Sequence, residues 1–412
     1  MVHPHDDASA ALARALAVLL PVLDIAGSRP DGDAPPAWCE ARGLTGFLLS
    51  LDDAALGRCE AEGLAVCASS LPGAPAQLVD LARATAEVTR VPPLAASPLP
   101  PPRERLRSVH ERKRLQLEAL LGAVAPLAAR AQRIVDVGAG RGHFTRVAAD
   151  LFDIDAVGLE RDASRVSTAE ALARGTRASF VTFDAGAQEL SFGPGDLPVG
   201  LHACGALGDR MIAAAASARC DVVLVSCCLQ KIDTPRRAPL SRAAEEAGLV
   251  LPREALGLAN LTPRPEGVEA SLGDMLAMRE RRHALLRLLR ARGLPLAPGE
   301  EMRGINRRRA RDGLAALAAR ALSLRGLAPA SAAEVEEHEA AAHQEFARMR
   351  RLSLPRAMLS RLVEVTVVLD RAAALEEQGH EVMVRTVFDI EVTPRNLAIL
   401  ACADGTPPEH PH

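Results

Sequence analysis

The sequence predicts an α/β fold. Five parallel strands and a terminal antiparallel pair form one sheet, with an all-α N-terminal domain before it and a helical insertion within it. Three observations carry this. Short apolar runs alternate with helical patterns between 133 and 228, the grammar of βαβ units in a parallel sheet. Two further apolar runs, 381–389 and 395–403, lie near the end of the chain with only "IEVTP" between them. A link that short forces an antiparallel pair, because a parallel pair needs a crossover.

The elements follow in order. Residues 8–25, 40–68 and 74–90 space Leu, Ala and Val helically between Gly and Pro breaks, so 1–90 reads as a helical domain. "VPPLAASPLPPPRE" (91–104) holds six prolines, which forbid helix and favour an extended, semi-rigid linker. A charged helix over 103–130 leads into the core, 105–234. Its strands are "RIVDVG" (133–138), "DAVGLE" (155–160), "ASFVTFD" (178–184), "VGLHACG" (199–205) and "CDVVLVSCC" (220–228), with helices over 142–151, 162–174 and 207–218. An Arg-rich helical insertion without clear strands spans 235–350. Residues 351–412 complete the sheet, with a helix over 352–379 ahead of the last two strands.

Composition narrows the class. The 412 residues suit two to three domains, and 48% are hydrophobic, ample for a core. Lysine occurs only at Lys113 and Lys231, so nearly all positive charge is arginine. A net charge of −3 excludes a chain that binds nucleic acid by overall charge. The eight cysteines lack paired zinc-ribbon spacing, and no metal site is assigned. The start "MVHPHDDASA" lacks a basic signal-peptide region, and Arg14, Pro21 and Asp24 interrupt the apolar run after it. A cytoplasmic protein with reduced thiols and no membrane span is expected.

The richest motif is "DVGAGRGHF" (136–144), which ends the first strand and opens a helix. Gly138, Gly140 and Gly142 allow a tight turn and close approach of a ligand to the backbone beside Ala139, and the loop amides suit an anionic group. The spacing G-x-G-x-G differs from the dinucleotide fingerprint G-x-G-x-x-G. Asp136 stands two residues before the first glycine, where a carboxylate suits a ligand with an ammonium group. Glu160, followed by Arg161, ends the second strand, in position to accept from ribose hydroxyls. Asp184, followed by Ala185, ends the third strand and suits an adenine amino group. Each acid alone could equally cap or solvate a strand end. Together they describe a cleft at the carboxyl edge of the sheet for an adenosine carrying an ammonium.

Here the sequence resembles the class I S-adenosylmethionine-dependent methyltransferases, whose Rossmann-like sheet ends in such an antiparallel pair. More narrowly it resembles the methyltransferase-like family of the ribosomal RNA adenine dimethylase domain-containing protein and the glutathione S-transferase C-terminal domain-containing protein. The motifs are "DVGAGRGHF", "LHACG" (201–205), "SCC" (226–228) and "TPRN" (393–396), in that order; "VHERKR" (109–114) echoes a basic segment of the family loosely. A tRNA 2′-O-methyltransferase group with a similar strand is a more distant relative. The resemblance covers 105–260 and 352–403, and implies S-adenosyl-L-methionine as cofactor and methyl transfer as activity. Asp136, Gly138, Ala139, Gly140, Gly142, Glu160, Arg161, Asp184, Ala185 and His202 are the cofactor-binding candidates.

The acceptor side is less defined. Many amino-methylating enzymes of this class carry an Asn-Pro-Pro-Tyr-like motif at the fourth strand end, where this chain has "HACGALGD". His202 is a candidate general base, or a histidine packed beside the cofactor. Cys204 is a candidate nucleophile, or a small buried residue. Alternation along a strand lets only one of Cys227 and Cys228 face the cleft. Asp209 and Lys231 lie just beyond the strand ends, as substrate contacts or as solvated loop charge. "TPRN" is a turn from which Arg395 can reach the substrate side. The stretch 279–311 holds eleven arginines and three glutamates, a candidate phosphate-binding patch or the solvated face of an amphipathic helix. RNA or protein is the expected acceptor; a non-catalytic cofactor-binding module and an NAD(P)-dependent oxidoreductase are the alternatives.

Overall fold

In the computed structural model the described residues are 7–30, 34–101, 109–261 and 272–405, apart from the side chains of His202, Leu261 and Arg307. The chain divides into two compact units. One comprises Met1–Gly27, Asp80–Thr262 and Met358–His412; the other comprises Ser28–Val79 and Pro263–Ala357. These units cut across the expected 1–90 domain, and the 28–79 part of it folds with the insertion.

The first unit contains the sheet. Strands β1 (Arg133–Val137), β2 (Asp155–Glu160), β3 (Ala178–Thr182), β4 (Asp196–Ala203) and β5 (Val222–Ser226) are parallel. A small two-stranded sheet, β6 (Arg236–Arg237) with β7 (Leu251–Pro252), stands where the sequence predicts no strand. β8 (Glu381–Thr386) and β9 (Leu397–Cys402) are antiparallel, and β9 also runs antiparallel to β5. The order β3-β2-β1-β4-β5-β9-β8 is the predicted Rossmann-like arrangement. It reverses direction between β1 and β4, which opens a crevice at the carboxyl edge. β5 and β9 are buried along their whole length, which is why they read as unbroken apolar runs.

The structure differs from the sequence reading at three places. The β8–β9 connection is longer than "IEVTP", running from Val387 to Asn396, and a backbone bond of 2.9 Å from Val387 N–H to Asn396 O closes it. The helix expected over 352–379 breaks at Leu359, between helices Ala332–Met358 and Ser360–Glu376. The helix expected over 103–130 spans Glu111–Ala128; 103–108 lie outside the described residues.

Residues 91–101, the described part of the proline-rich segment, contain no helix, and they are packed rather than a bare spacer. Pro93 bridges Thr386, Leu94 N–H donates to Thr386 O (2.9 Å), and Leu94 and Leu99 pack on the central core. It covers the outer side of edge strand β8, and prolines prevent further strand addition. A Cβ on Gly122 would stand 2.2 Å from Ser97 O, so the helix admits the strap only at a glycine.

Ala8–Gly27 is the helical run long and apolar enough to cross a membrane among the described residues. Its first part, Ala8–Leu19, packs instead along Ser360–Glu376. Glu376 binds the start of that run, accepting from Ala8 N (2.6 Å) and Ser9 N (3.0 Å).

The second unit is helical around a core that includes Leu285, Leu289, Leu314, Leu317 and Leu322. The 40–68 stretch is four short helices, Ala37–Ala41, Thr45–Ser50, Asp53–Glu62 and Leu64–Cys67.

Candidate functional site

The glycine loop folds by hydrogen bonds to the second strand. Gly138 and Ala139 N–H both donate to Leu159 O (2.9 and 3.0 Å), Gly140 N–H donates to Glu160 Oε2 (2.9 Å) and Gly142 N–H to Ala139 O (2.9 Å). The expectation that these amides cradle an anion is therefore corrected, since the loop itself already engages them. What the loop offers is space and carboxylates. A Cβ on Gly140 would meet nothing within 4 Å, and its φ of +59° suits glycine. Gly142 takes part in the expected turn, with a φ of +69°, and has a second role. Its missing side chain makes room for Phe180, whose Cζ would stand 2.2 Å from a Cβ there, and Gly158 yields to the same ring at 2.5 Å.

The three acids stand at three adjacent strand ends. Asp136 is 3% exposed and accepts from Thr145 Oγ1 at 2.6 Å. Burial pushes its carboxyl up to about 6, against the pull of Thr145 and Lys113. Glu160 Oε1 accepts from Asp162 N (3.0 Å) while its other oxygen holds Gly140. A carboxylate has about four acceptor sites, so ribose hydroxyls can still be taken. Asp184 Oδ1 accepts from Gly186 N (2.9 Å) in a tight turn. Arg161 is exposed, and Ala185 O accepts from Arg210 Nη1 (2.9 Å).

At the fourth and fifth strand ends the β4–β5 register shifts between Leu201 and Ala203, a bulge that redirects the chain after it. The His202 side chain, the candidate base, lies outside the described residues. Cys204, Cys227 and Cys228 converge, with their sulfurs all within 4.8 Å of one another and Cys204 Sγ 2.7 Å from Cys227 Sγ. The sulfurs of Cys227 and Cys228 thus lie close together and do not diverge as strand alternation would require. β5 ends at Ser226, so both lie beyond the strand and its alternation. The environment favours the thiolate on Cys228 rather than on Cys204. The Cys204 and Cys227 thiols lower the Cys228 pKa, Arg395 and Lys231 add to this, and burial opposes it. Cys204 is pushed up: its bond with Cys227 favours the thiolate, but the contact with Cys228 and burial outweigh it.

Asp209 is neither a substrate contact nor solvated loop charge. It is largely buried and receives Arg371 Nε (2.8 Å) and Arg237 Nη2 (2.9 Å). Burial would raise its carboxyl, and the two guanidiniums overcome that and hold it low. Arg237 also meets buried Asp370 at 2.6 Å, and Asp370 takes Ser241 N (3.0 Å) and Oγ (2.8 Å). Arg371 is fully buried and ties the two strand ends together, donating to Gly205 O (2.8 Å) and Ser226 Oγ (2.7 Å). Arg395 Nη2 donates to Asn260 Oδ1 (2.7 Å) while its charge acts on Cys228.

Sequence reasoning missed Lys113, Arg237 and Arg371. Burial lowers the Lys113 pKa, against the attraction of Asp136 and Cys227. A signal existed: the chain has only two lysines, and both act on this edge of the sheet. Arg237 and Arg371 were hidden among many arginines.

In the second unit, many arginines of 279–311 are already paired. Arg282 meets Glu301 (2.6 Å), Arg292 meets Glu334 (2.5 Å), Arg303 meets Glu300 (2.8 Å), Arg309 meets Asp312 (3.2 Å), and Arg287 meets Glu345.

Residues 112–235, which hold the glycine loop, all five parallel strands and the three thiols, match the family model of a methyltransferase domain. No curated protein matches the chain in sequence. Solved structures that it resembles include YjhP from E. coli, 20% identical over 29% of this chain and 52% of that one, with a TM-score of 0.24. The CcbJ methyltransferase of Streptomyces caelestis is 18% identical over 30% of this chain and 53% of its own, with a TM-score of 0.21. The glycopeptide N-methyltransferase MtfA, in complex with S-adenosyl-L-homocysteine, is 20% identical over 34% of this chain and 67% of its own, with a TM-score of 0.22. The chain thus spans about half the length of the first two.

Proposed function

We propose that the protein is an S-adenosylmethionine-dependent methyltransferase with a macromolecular acceptor, RNA or protein. One observation carries the reading: a buried carboxylate, an open glycine turn and two further acids line adjacent strand ends of a sheet in the order β3-β2-β1-β4-β5-β9-β8. The methyltransferase-domain match over 112–235 supports it, as does the motif resemblance to the methyltransferase-like family.

The residues fit the cofactor. Asp136, costly to bury as an anion, is relieved by the cofactor's ammonium. Glu160 takes the ribose hydroxyls with its remaining acceptor sites while holding the loop through Gly140. Asp184, braced by Gly186, faces the adenine end. Bound S-adenosylmethionine supplies a methyl already activated on a sulfonium, so the chain's task is positioning and, where the acceptor needs it, removal of a proton. His202 is the candidate for that base. Cys204, with its raised pKa, is less suited to attack than the sequence implies.

Two experiments test this. Isothermal titration should show micromolar-range S-adenosylhomocysteine binding and none for NAD(P); the reverse would establish the oxidoreductase. Radiolabelled methyl transfer should then be measured on RNA-only and protein-only fractions from a strain lacking the gene. Label in one fraction names the acceptor class, and binding without label in either leaves a non-catalytic cofactor module.

A further inference from the structure

The thiol cluster lies outside the cofactor reading. We propose that Cys204, Cys227 and Cys228 form a three-thiolate site for one thiophilic d10 cation, Zn2+, at the carboxyl ends of β4 and β5. The proposal stands on the convergence of side chains and does not depend on the methyltransferase reading.

Three sulfurs from two strand ends lie within 4.8 Å of one another. Thiolates around a tetrahedral zinc, with Zn–S near 2.3 Å, stand about 3.8 Å apart, a spacing that falls inside the 4.8 Å limit of the cluster. The Cys204–Cys227 separation of 2.7 Å is inside the van der Waals contact of two sulfurs, and the pair must part by about 1 Å to hold a cation between them. An all-sulfur set of this kind selects Zn2+ or Cu+ over Mg2+ and Ca2+, which take oxygen ligands.

The backbone around the sulfurs is built to hold them. Ala206 N–H donates to Lys231 O (2.9 Å), and Lys231 N–H donates to Cys228 O (3.1 Å), which links the two loops carrying the ligands. That link requires a glycine, since a Cβ on Gly205 would stand 2.0 Å from Lys231 O. Leu207 N–H donates to Cys204 O (3.0 Å) and Leu229 N–H to Cys227 O (3.0 Å). The Arg371 guanidinium then binds Gly205 O and Ser226 Oγ, the neighbours of Cys204 and Cys227. Such outer partners fix ligand orientation in metal sites. Lys231 and Arg395 act on Cys228 and offset the charge of three thiolates. Cys227 is buried, whereas Cys204 and Cys228 are half-buried, so the fourth coordination position opens on their side, as in sites that keep one position for an exchangeable ligand.

The test is metal binding by the full chain, purified reduced and anaerobically. Elemental analysis and Co2+ titration, competed by Zn2+, should give one equivalent of metal and a sulfur-to-cobalt charge-transfer band. Cys204→Ser, Cys227→Ser and Cys228→Ser should each weaken binding by about tenfold or more. Cys220→Ser and Cys402→Ser, buried elsewhere on the sheet, should leave it unchanged. Should a serine variant fail to fold, alkylation of the wild-type protein followed by peptide mapping serves instead, and Zn2+ should protect Cys204 and Cys228. No band in the wild type, a band retained in Cys228→Ser, absence of Zn2+ protection, or a Cys204–Cys227 disulfide in the reduced protein would each overturn the proposal.

Discussion

The two halves of the sheet's carboxyl edge are held together by different means. At β1–β3, neutral backbone amides fold onto Leu159 O and Glu160, and a ring, Phe180, fills the space left by two glycines. At β4–β5, a buried network of Arg371, Asp209, Arg237 and Asp370 ties strand ends to the helix Ser360–Glu376. The first half is built to leave room for a ligand. The second is built to hold reactive side chains in place. A ligand half needs space that no protein atom fills, whereas a half presenting thiols needs rigidity, which a multidentate guanidinium supplies.

The largest break in this comparison should come from Arg371. Arg371→Met leaves Asp209 and two backbone-linked strand ends short of a partner, and should lower stability by about 3–5 kcal/mol in urea unfolding. Arg177→Met, which removes the exposed pairs to Asp153 and Asp155 beside β2 and β3, should leave the urea midpoint unchanged. Equal effects would end the distinction between the two halves.

Asp136→Ala should weaken S-adenosylhomocysteine binding by roughly 10- to 100-fold in titration calorimetry, as expected for a hydrogen bond to a charged group. Unchanged affinity would remove Asp136 from the site. Gly158→Ala should cost about 1–3 kcal/mol, because a Cβ there would stand 2.5 Å from the Phe180 ring and 2.8 Å from Ala139 Cβ. Gly140→Ala has open space around it and should affect affinity more than stability, a split that one binding and one melting experiment would reveal.

The smallest effect is a pH dependence. The buried Asp136 carboxyl titrates at about 6, above its ordinary 3.8. A raised carboxyl binds its proton more tightly when folded. Its stabilising contribution is therefore full below 3.8 and is lost as pH rises through about 6. Ligand binding runs the other way, since an ammonium needs the carboxylate. Affinity for S-adenosylhomocysteine should rise from about pH 5 to about pH 7 in the wild type and stay flat in Asp136→Asn. A flat wild-type profile would mean that the ammonium is held elsewhere.

Much of the β1–β3 half was legible in the sequence because its signals are local. "DVGAGRGHF" fixes a turn by its own glycines, and Asp136, Glu160 and Asp184 each mark a strand end within one βαβ unit. The β4–β5 half depends on long-range pairs that no spacing reveals. Arg371 meets Asp209 across 162 positions and Gly205 across 166, in a chain where arginine is too common to draw notice. The roles of Gly142 and Gly158 were equally hidden, because they depend on where Phe180 packs.

By itself, the sequence determined the alternation of strands and helices, the antiparallel end of the sheet and the acids at its carboxyl edge. Periodicity and short turns decide these within a few residues. Only the tertiary structure decided that residues 28–79 fold with the insertion, that the proline segment straps an edge strand, and that Cys204, Cys227 and Cys228 share one corner. Those outcomes depend on which buried surfaces meet and on where β5 stops, and the packing of the whole chain sets both.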